Sequence, residues 1–240
     1  MAKFRTEKIS DHDFKVYHAV YSQENIFMSY DFGRGLLELW KVPEETLIFD
    51  FIPESYCAFL EKAGGRKMRR QCRMLRPTTK ENAVLNKDYY FSEPAESDKE
   101  EITEVVYESH LHGYTSTVTG PTDRKKTEIA VDRRFAAFSE TDSLHFGTIV
   151  RTCDSHKIAA VCLAGIYPDA HDNFSTIHQV SVLPEHRRKG VAEAMIRNTI
   201  NTAYQRSPVI SLGVMAGNPA KKLYSKIGFI SGMEYNDYVL

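Results

Sequence analysis

The chain has 240 residues, 42% of them hydrophobic and 26% charged, and a formal net charge of −1. That is enough chain to bury a sizeable core, as one large domain or two small ones. The balanced charge excludes the broad pull toward nucleic acid or membrane that a strongly basic protein exerts.

No apolar run reaches the roughly 18–20 residues of a membrane span, and the polar start MAKFRTEKISDHDF lacks the apolar core of a signal peptide. Cys57, Cys72, Cys153 and Cys162 are scattered and form no CxxC pair, the pattern of unpaired thiols in a reducing compartment. The expected location is cytoplasmic.

In residues 1–85, Phe14–Phe27 is read as a helix, with Gly33 and Gly35 breaking the pattern. Leu36–Trp40 and Leu47–Ile52 are short apolar runs suited to strands. Ser55–Lys62 is a helix candidate stopped by Gly64-Gly65, and Met68–Leu75 is a further strand ended by Pro77. The charged, proline-containing stretch Thr78–Lys87 is taken as the boundary between a region of residues 1–85 and a domain of residues 86–240.

Beyond it, Tyr89-Tyr90-Phe91 predicts a strand. Ser97-Asp98 with Glu100 and Glu101 predicts a helix start, the acids lying favourably against the helix dipole, and the helix is expected to run to about Leu111 before Gly113. Thr115–Lys126 is expected to be a mobile loop, and Glu128–Phe138 a second helix. His145–Thr152 and Lys157–Tyr167 are expected to form a hairpin, its turn carrying Asp154-Ser155. After the loop Pro168–Asn173 come a strand, Ser175–Leu183, and a long helix, Gly190–Tyr204. Ala192, Met195, Ile196, Ile200 and Ala203 fall on one face of that helix. A strand (Val209–Met215), a short helix (Ala220–Ile227) and a last strand (Ser231–Val239) complete the chain. The succession predicts an α/β fold with a mixed, mostly antiparallel central sheet flanked by helices.

The segment Val180–Glu193 carries chemistry. A strand ends, a basic glycine-containing turn follows, and an amphipathic helix begins. The first N–H groups of a helix have no internal partner and, with the dipole, can hold an anion. Gly190 permits close approach, small Ala192 leaves room for a phosphate, and Arg188 and Lys189 put positive charge at the mouth.

The spacing Arg187-x-x-Gly190-x-Ala192 after a strand resembles the signature of the GCN5-related N-acetyltransferase (GNAT) superfamily. Ala220-x-x-Leu223-Tyr224-x-x-x-Gly228-Phe229 resembles that family's second recurring element. The resemblance covers about residues 87–240. It implies an acyltransferase that uses acetyl-CoA as cosubstrate and needs no metal. It implies that the backbone of Val180, Ser181 and Val182 pairs with the pantetheine arm and that an N–H near Val180 polarises the thioester. Arg187 and the turn Arg188, Lys189, Gly190, Val191, Ala192 and Glu193 would form the pyrophosphate site. Tyr224 matches the tyrosine that protonates the departing thiolate. Asn218 resembles a cofactor-contacting asparagine but stands one residue late, with Gly217 in the expected slot.

Many members carry a glutamate where this chain has Thr176. Two residues on, His178 lies on the same strand face and matches a histidine used in proton removal by arylalkylamine-type members. An ordinary histidine titrates near pH 6.5, which suits that task. The expected reaction is direct attack of a primary amine of a small molecule or peptide on the acetyl thioester. No cysteine lies in or beside either motif. The alternatives are a protein N-terminal or lysine acetyltransferase, and a catalytically inactive CoA-binding sensor or assembly module. No membrane or nucleic-acid partner is expected, and a homodimer is compatible with the sequence.

Arg66-Lys67-Met68-Arg69-Arg70 with Arg73 reads as a solvated strand edge rather than a phosphate-binding patch. His110-x-His112 and Asp169-x-His171-Asp172 have no companion ligands, so no metal is expected. The loops Pro168–Asn173 and Thr115–Lys126 read as walls of an acceptor pocket. Laid over Ser211–Val239, the segment Leu47–Leu75 puts Gly64 on Gly228, Lys62 on Lys226 and Leu60 on Tyr224. Residues 1–85 are therefore expected to hold a degenerate half of the same fold, with an unrelated extension as the alternative.

Overall fold

The computed structural model describes residues 4–8, 13–18, 46–52, 54–62, 64–166 and 174–239. In chain order these form β1 (Phe4–Lys8), β2 (Asp13–His18), β3 (Thr46–Ile52), α1 (Glu54–Lys62), β4 (Arg66–Pro77), β5 (Tyr89–Ser92) and α2 (Lys99–Leu111). There follow α3 (Tyr114–Thr119), α4 (Arg124–Glu140), β6 (Thr148–Thr152), β7 (Ile158–Gly165), β8 (Ser175–Val182), α5 (Val191–Ala203), β9 (Val209–Met215), α6 (Ala220–Lys226) and β10 (Ile230–Val239). Chain contacts divide them into two units, Met1–Cys72 with Met233–Leu240, and Arg73–Gly232. The division falls before the expected boundary at 85/86, and the end of β10 belongs with the N-terminal residues.

In the smaller unit β1 pairs antiparallel with β2, β2 parallel with β3, and β10 antiparallel with β3. Asp13–His18 is thus a strand, where Phe14–Phe27 was expected to be helical. Its paired neighbours on both sides satisfy the backbone and override a weak helical pattern. The rest of that expected helix and the strand Leu36–Trp40 lie outside the described residues. The succession β3–α1–Gly64–β4 repeats β9–α6–Gly228–β10. Gly64 and Gly228 have φ of 95° and 96°. Gly64 N–H donates to Glu61 and Gly65 N–H to Leu60, just as Gly228 N–H donates to Ser225 and Phe229 N–H to Tyr224. Both helices end in the same glycine-dependent C-terminal motif.

In the larger unit β5, β6, β7 and β8 pair antiparallel in succession, β8 pairs parallel with β9, and β4 follows β9 in strand order. β7 (IAAVCLAG) is buried along its whole length, because both sheet faces are covered. On one face Ile102, Val105 and Val106 of α2 and Val131, Phe135 and Phe138 of α4 pack on Ile149, Ile158, Val161 and Leu163. On the other lies α5, whose Thr199 hydroxyl donates to Thr148 Oγ1 at 2.9 Å. Its buried face is Val191, Ala194, Met195, Ile196, Ile200 and Ala203; Ala192, expected inside, is only half-buried.

Two expected boundaries shift. The stretch expected as a loop at Thr115–Lys126 begins as α3, whose Ser116, Thr117 and Thr119 hydroxyls bond back to the carbonyls of Gly113, Tyr114 and Thr115. Then α4 starts early, at Arg124, because the Asp123 carboxylate caps the Lys126 N–H. The strand expected from His145 starts at Thr148, after a short 3₁₀ turn at Leu144–Phe146. The loop Pro168–Asn173 lies outside the described residues.

A closed ring of charges ties α5 to α6. Glu193, in the first turn of α5, accepts from Lys226 (2.6 Å) and Arg197 (3.1 Å). Arg197 also pairs with Glu81, and Glu81 with Arg76 at 2.6 Å. Arg76 donates to the Ile227 carbonyl, at the end of α6. Arg76 is 8% exposed. Burial raises the Glu81 carboxyl, but hydrogen bonds from Arg76, Thr79 and Arg197 outweigh it and hold the group below its usual 4.5. The Lys226 hydrogen bond does the same for Glu193.

Two outcomes follow from this packing. A Cβ on Gly165 would stand 2.4 Å from the Phe138 ring, so Gly165→Ala should overpack the α4 face and cost about 1–3 kcal/mol in denaturant unfolding. Glu81→Gln leaves two part-buried arginines facing a neutral amide and should cost about 1–3 kcal/mol near neutral pH. Because the Glu81 pKa is lowered on folding, its contribution is whole above the unfolded value near 4.5 and fades as pH falls through the folded one. The gap between wild type and variant should therefore close in unfolding titrations taken to lower pH.

Candidate active site

β8 and β9 begin as neighbours and then part. Their parallel ladder pairs Ser175, Thr176 and Ile177 with Ile210, Ser211 and Leu212, and no further pair is made among the described residues, although β8 continues to Val182 and β9 to Met215. At the point of parting β8 carries a bulge. Leu163 of β7 faces Gln179 and Ala164 faces Ile177, so His178 has no opposite number. Bulges bend a strand and re-aim its side chains. The result is a notch whose one wall is the β9-facing edge of Gln179–Val182. Val180, Ser181 and Val182, singled out from the sequence, all lie on that wall.

At the open end of the notch β8 runs through a short 3₁₀ turn, Pro184–His186, into α5. Two consecutive backbone peculiarities shape the junction. Arg188 has φ of 63° and Gly190 φ of 79°, which turns successive N–H groups toward one side. Within the helix start, Ala194 N–H donates to the Gly190 carbonyl. The N–H groups of Arg188, Lys189, Gly190, Val191, Ala192 and Glu193 make no such bond among the described residues. The side chains of Arg188 and Lys189 are exposed. Arg187 is turned away from this cradle. Its Nε donates to the Val182 carbonyl at 3.1 Å, and its two terminal nitrogens to the His112 and Ser109 carbonyls at 2.8 and 3.1 Å. It closes off the C-terminal end of α2 and pins the turn to it.

The other wall ends in the turn Ala216–Pro219 and α6. Asn218 spends its Oδ1 on the Ala220 N–H at 2.9 Å, at the start of α6. Gly217, with φ of 82°, is approached by Tyr114. The phenol of Tyr114 donates to the Ala216 carbonyl at 2.8 Å, and a Cβ on Gly217 would lie 2.4 Å from it. Nothing in the local sequence signalled this contact, made from about a hundred residues away.

Tyr224 is 8% exposed and stands edge-on to Phe229. Burial, with Cys162 nearby, pushes its phenol well above the ordinary tyrosine range. The fold thus brings a cysteine close to the second motif, although none is close in sequence. Burial pushes the Cys162 thiol up to about 12, so it is a neutral thiol and no nucleophile at neutral pH.

On the α2 and α4 side of the notch, His178 is exposed and its Nδ1 accepts from Arg134 Nε at 2.7 Å. The bulge lets the next residue, Gln179, reach the same side, where its amide donates to His110 Nε2 (3.0 Å) and Ser181 Oγ (2.8 Å). Burial, then Arg134, lowers the His110 pKa. Thr176 meets Ser211 at 3.1 Å, and Ser211 accepts from Arg73 at 3.0 Å. Periodicity alone could not show Gln179, His110, Arg73 or Arg134, since each partner comes from another element. Among the described residues no group of three or more His, Cys, Asp or Glu is placed to hold a metal ion, and no helix is long and apolar enough to cross a membrane.

Comparison with known proteins places this geometry. The family model described as the acetyltransferase (GNAT) family matches residues 103–229. The cysteine-rich protein 2-binding proteins of Mus musculus and Homo sapiens are 36% and 35% identical to this chain over 85 residues, which is 35% of this chain and only 10% of theirs. The crystal structure of a GCN5-related N-acetyltransferase from Sphaerobacter thermophilus is similar with a TM-score of 0.70 and 17% identity, over 100% of this chain and 75% of that one. A tandem GNAT protein from the clavulanic acid biosynthesis pathway is similar with a TM-score of 0.63 and 9% identity, over 95% and 74% of the two chains. At 17% and 9% identity the likeness of these structures is one of fold alone, and it is the match across 103–229 that assigns the lineage. The chain belongs to the acetyltransferase (GNAT) family.

Proposed function

We propose that this protein is an N-acetyltransferase that moves an acetyl group from acetyl-CoA to a primary amine of a small molecule or peptide by direct attack. The observation that carries the reading is the uninterrupted run of N–H groups from Arg188 to Glu193 that find no acceptor among the described residues. Such a run at a helix N-terminus fits a pyrophosphate. The notch leading away from it offers an extended arm the backbone edge of Val180–Val182. In this reading Arg187 and Asn218 act through the backbone they hold, and the amides of the turn make the phosphate contacts.

The chemistry assigned to the chain's own groups is short. The neutral amine adds to the thioester carbonyl carbon while a backbone N–H near Val180 steadies the oxygen. As the carbon–sulfur bond breaks, Tyr224 gives its proton to the departing sulfur. The high pKa of Tyr224 keeps that proton in place at neutral pH. His178 takes the proton the amine loses. Its Nδ1 accepts from Arg134, so the neutral ring carries hydrogen on Nε2, and proton uptake at Nδ1 requires the Arg134 contact to give way.

Thiol release from acetyl-CoA, assayed against a panel of amines and peptides, tests the proposal. Tyr224→Phe should lower kcat about 10–100-fold with little change in the KM for acetyl-CoA. On the alkaline side the wild-type rate should persist past the ordinary tyrosine value of 10.0. No CoA binding by the wild type would sink the proposal, and CoA binding with turnover on no amine would favour the inactive sensor.

His178→Gln should remove the acid limb of the kcat/KM profile. Arg134→Gln, which relieves the imidazole of a neighbouring cation and of its hydrogen bond, should move that limb to higher pH. A limb unchanged in both variants would take His178 out of the mechanism.

A further inference from the structure

We infer that Tyr114 is a cofactor-binding residue: its phenol, seated on the Ala216 carbonyl beyond β9, closes, on the α2 side, the channel that holds the thiol-bearing arm of the acyl donor. This rests on the reading that the arm lies between β8 and β9.

The argument starts at the corner between α2 and α3. His112 ends α2 and Gly113 begins α3, so the chain turns between them. The corner grips both walls of the notch. Arg187, beyond the end of β8, donates to the Ser109 and His112 carbonyls of the corner. Tyr114, two residues after His112, donates to the Ala216 carbonyl just beyond the end of β9. One turn therefore reaches beyond the ends of two strands that have ceased to pair with each other.

The approach is built in. Gly217 adopts φ of 82° and leaves the space into which the Tyr114 oxygen fits; any side chain there would begin 2.4 Å from it. On the opposite side of the sheet α6 is held to α5 by the Glu193–Lys226 contact. With α6 behind and Tyr114 in front, the notch becomes a channel open toward the Arg188–Glu193 cradle at one end. An arm seated there makes contact with the phenol ring and can leave sideways only if the Tyr114–Ala216 bond opens. Tyr114 thus slows release of the donor without taking part in proton transfer.

The test compares CoA dissociation rates, acetyl-CoA KM and acceptor KM in the full chain for wild type, Tyr114→Phe, Gly217→Ala and the double variant. Tyr114→Phe keeps the ring and the fold and removes one neutral hydrogen bond, equivalent to about a fivefold change. CoA dissociation should accelerate by about that factor, with acetyl-CoA KM rising in step and acceptor KM unmoved. Gly217→Ala should have a similar effect by displacing the hydroxyl. Because both changes break the same contact, the double variant should be no worse than the more severe single one. Dissociation rates equal to wild type in both folded single variants, or fully additive effects in the double variant, would overturn the inference. Absence of CoA binding by the wild type would instead overturn the reading beneath it.

Discussion

Two parallel strands that pair for three residues and then separate create the constraint around which the larger unit is arranged. Backbone N–H and C=O groups inside a protein need partners, and a strand edge left open is costly unless something can occupy it. Here the pairing with β9 stops at the bulge that isolates His178. An extended ligand entering the gap would satisfy the same groups that β9 abandons. The bulge also lets both His178 and Gln179 reach the helices α4 and α2.

An opened pair of strands needs bracing from elsewhere. Arg187 spends all three of its donor nitrogens on carbonyls, joining the end of β8 to the end of α2. Behind the sheet, the ring Lys226–Glu193–Arg197–Glu81–Arg76 returns to the Ile227 carbonyl and ties the helix that starts at the cradle to the helix that carries Tyr224. The ring also solves an electrostatic problem. Glu193 lies in the first turn of α5, where its charge suits the helix dipole but would oppose a bound phosphate. Lys226 and Arg197 balance that charge locally.

The N-terminal segment bears on the same design. β3–α1–Gly64–β4 and β9–α6–Gly228–β10 share one order of elements and one helix-ending turn. They differ in one side chain: Leu60 is wholly buried at the place in its segment that Tyr224 holds in the other. The last residues of β4 count with the larger unit, to which they supply Arg73 and Arg76, and the last residues of β10 count with the smaller.

What could be read from the sequence was whatever depends on neighbours a few residues apart. The strand–turn–helix at Val180–Glu193, the second motif around Tyr224, the hairpin of β6 and β7, and the glycine stops of α1 and α6 are all of this kind. Their causes are backbone conformation, side-chain period and capping, which act within a turn or two of chain. The same local reasoning failed at Asp13–His18, where strand partners decided the conformation, and at Tyr114–Thr119, where serine and threonine hydroxyls sustain a helix that composition read as loop. Only the tertiary structure settled that β8 bulges at His178, that Arg187 faces carbonyls, that the Asn218 side chain accepts from the Ala220 N–H, that Cys162 sits by Tyr224, and that Tyr114 reaches Ala216. Each of these is a contact between atoms distant in sequence, and no period or motif encodes which distant atom will arrive.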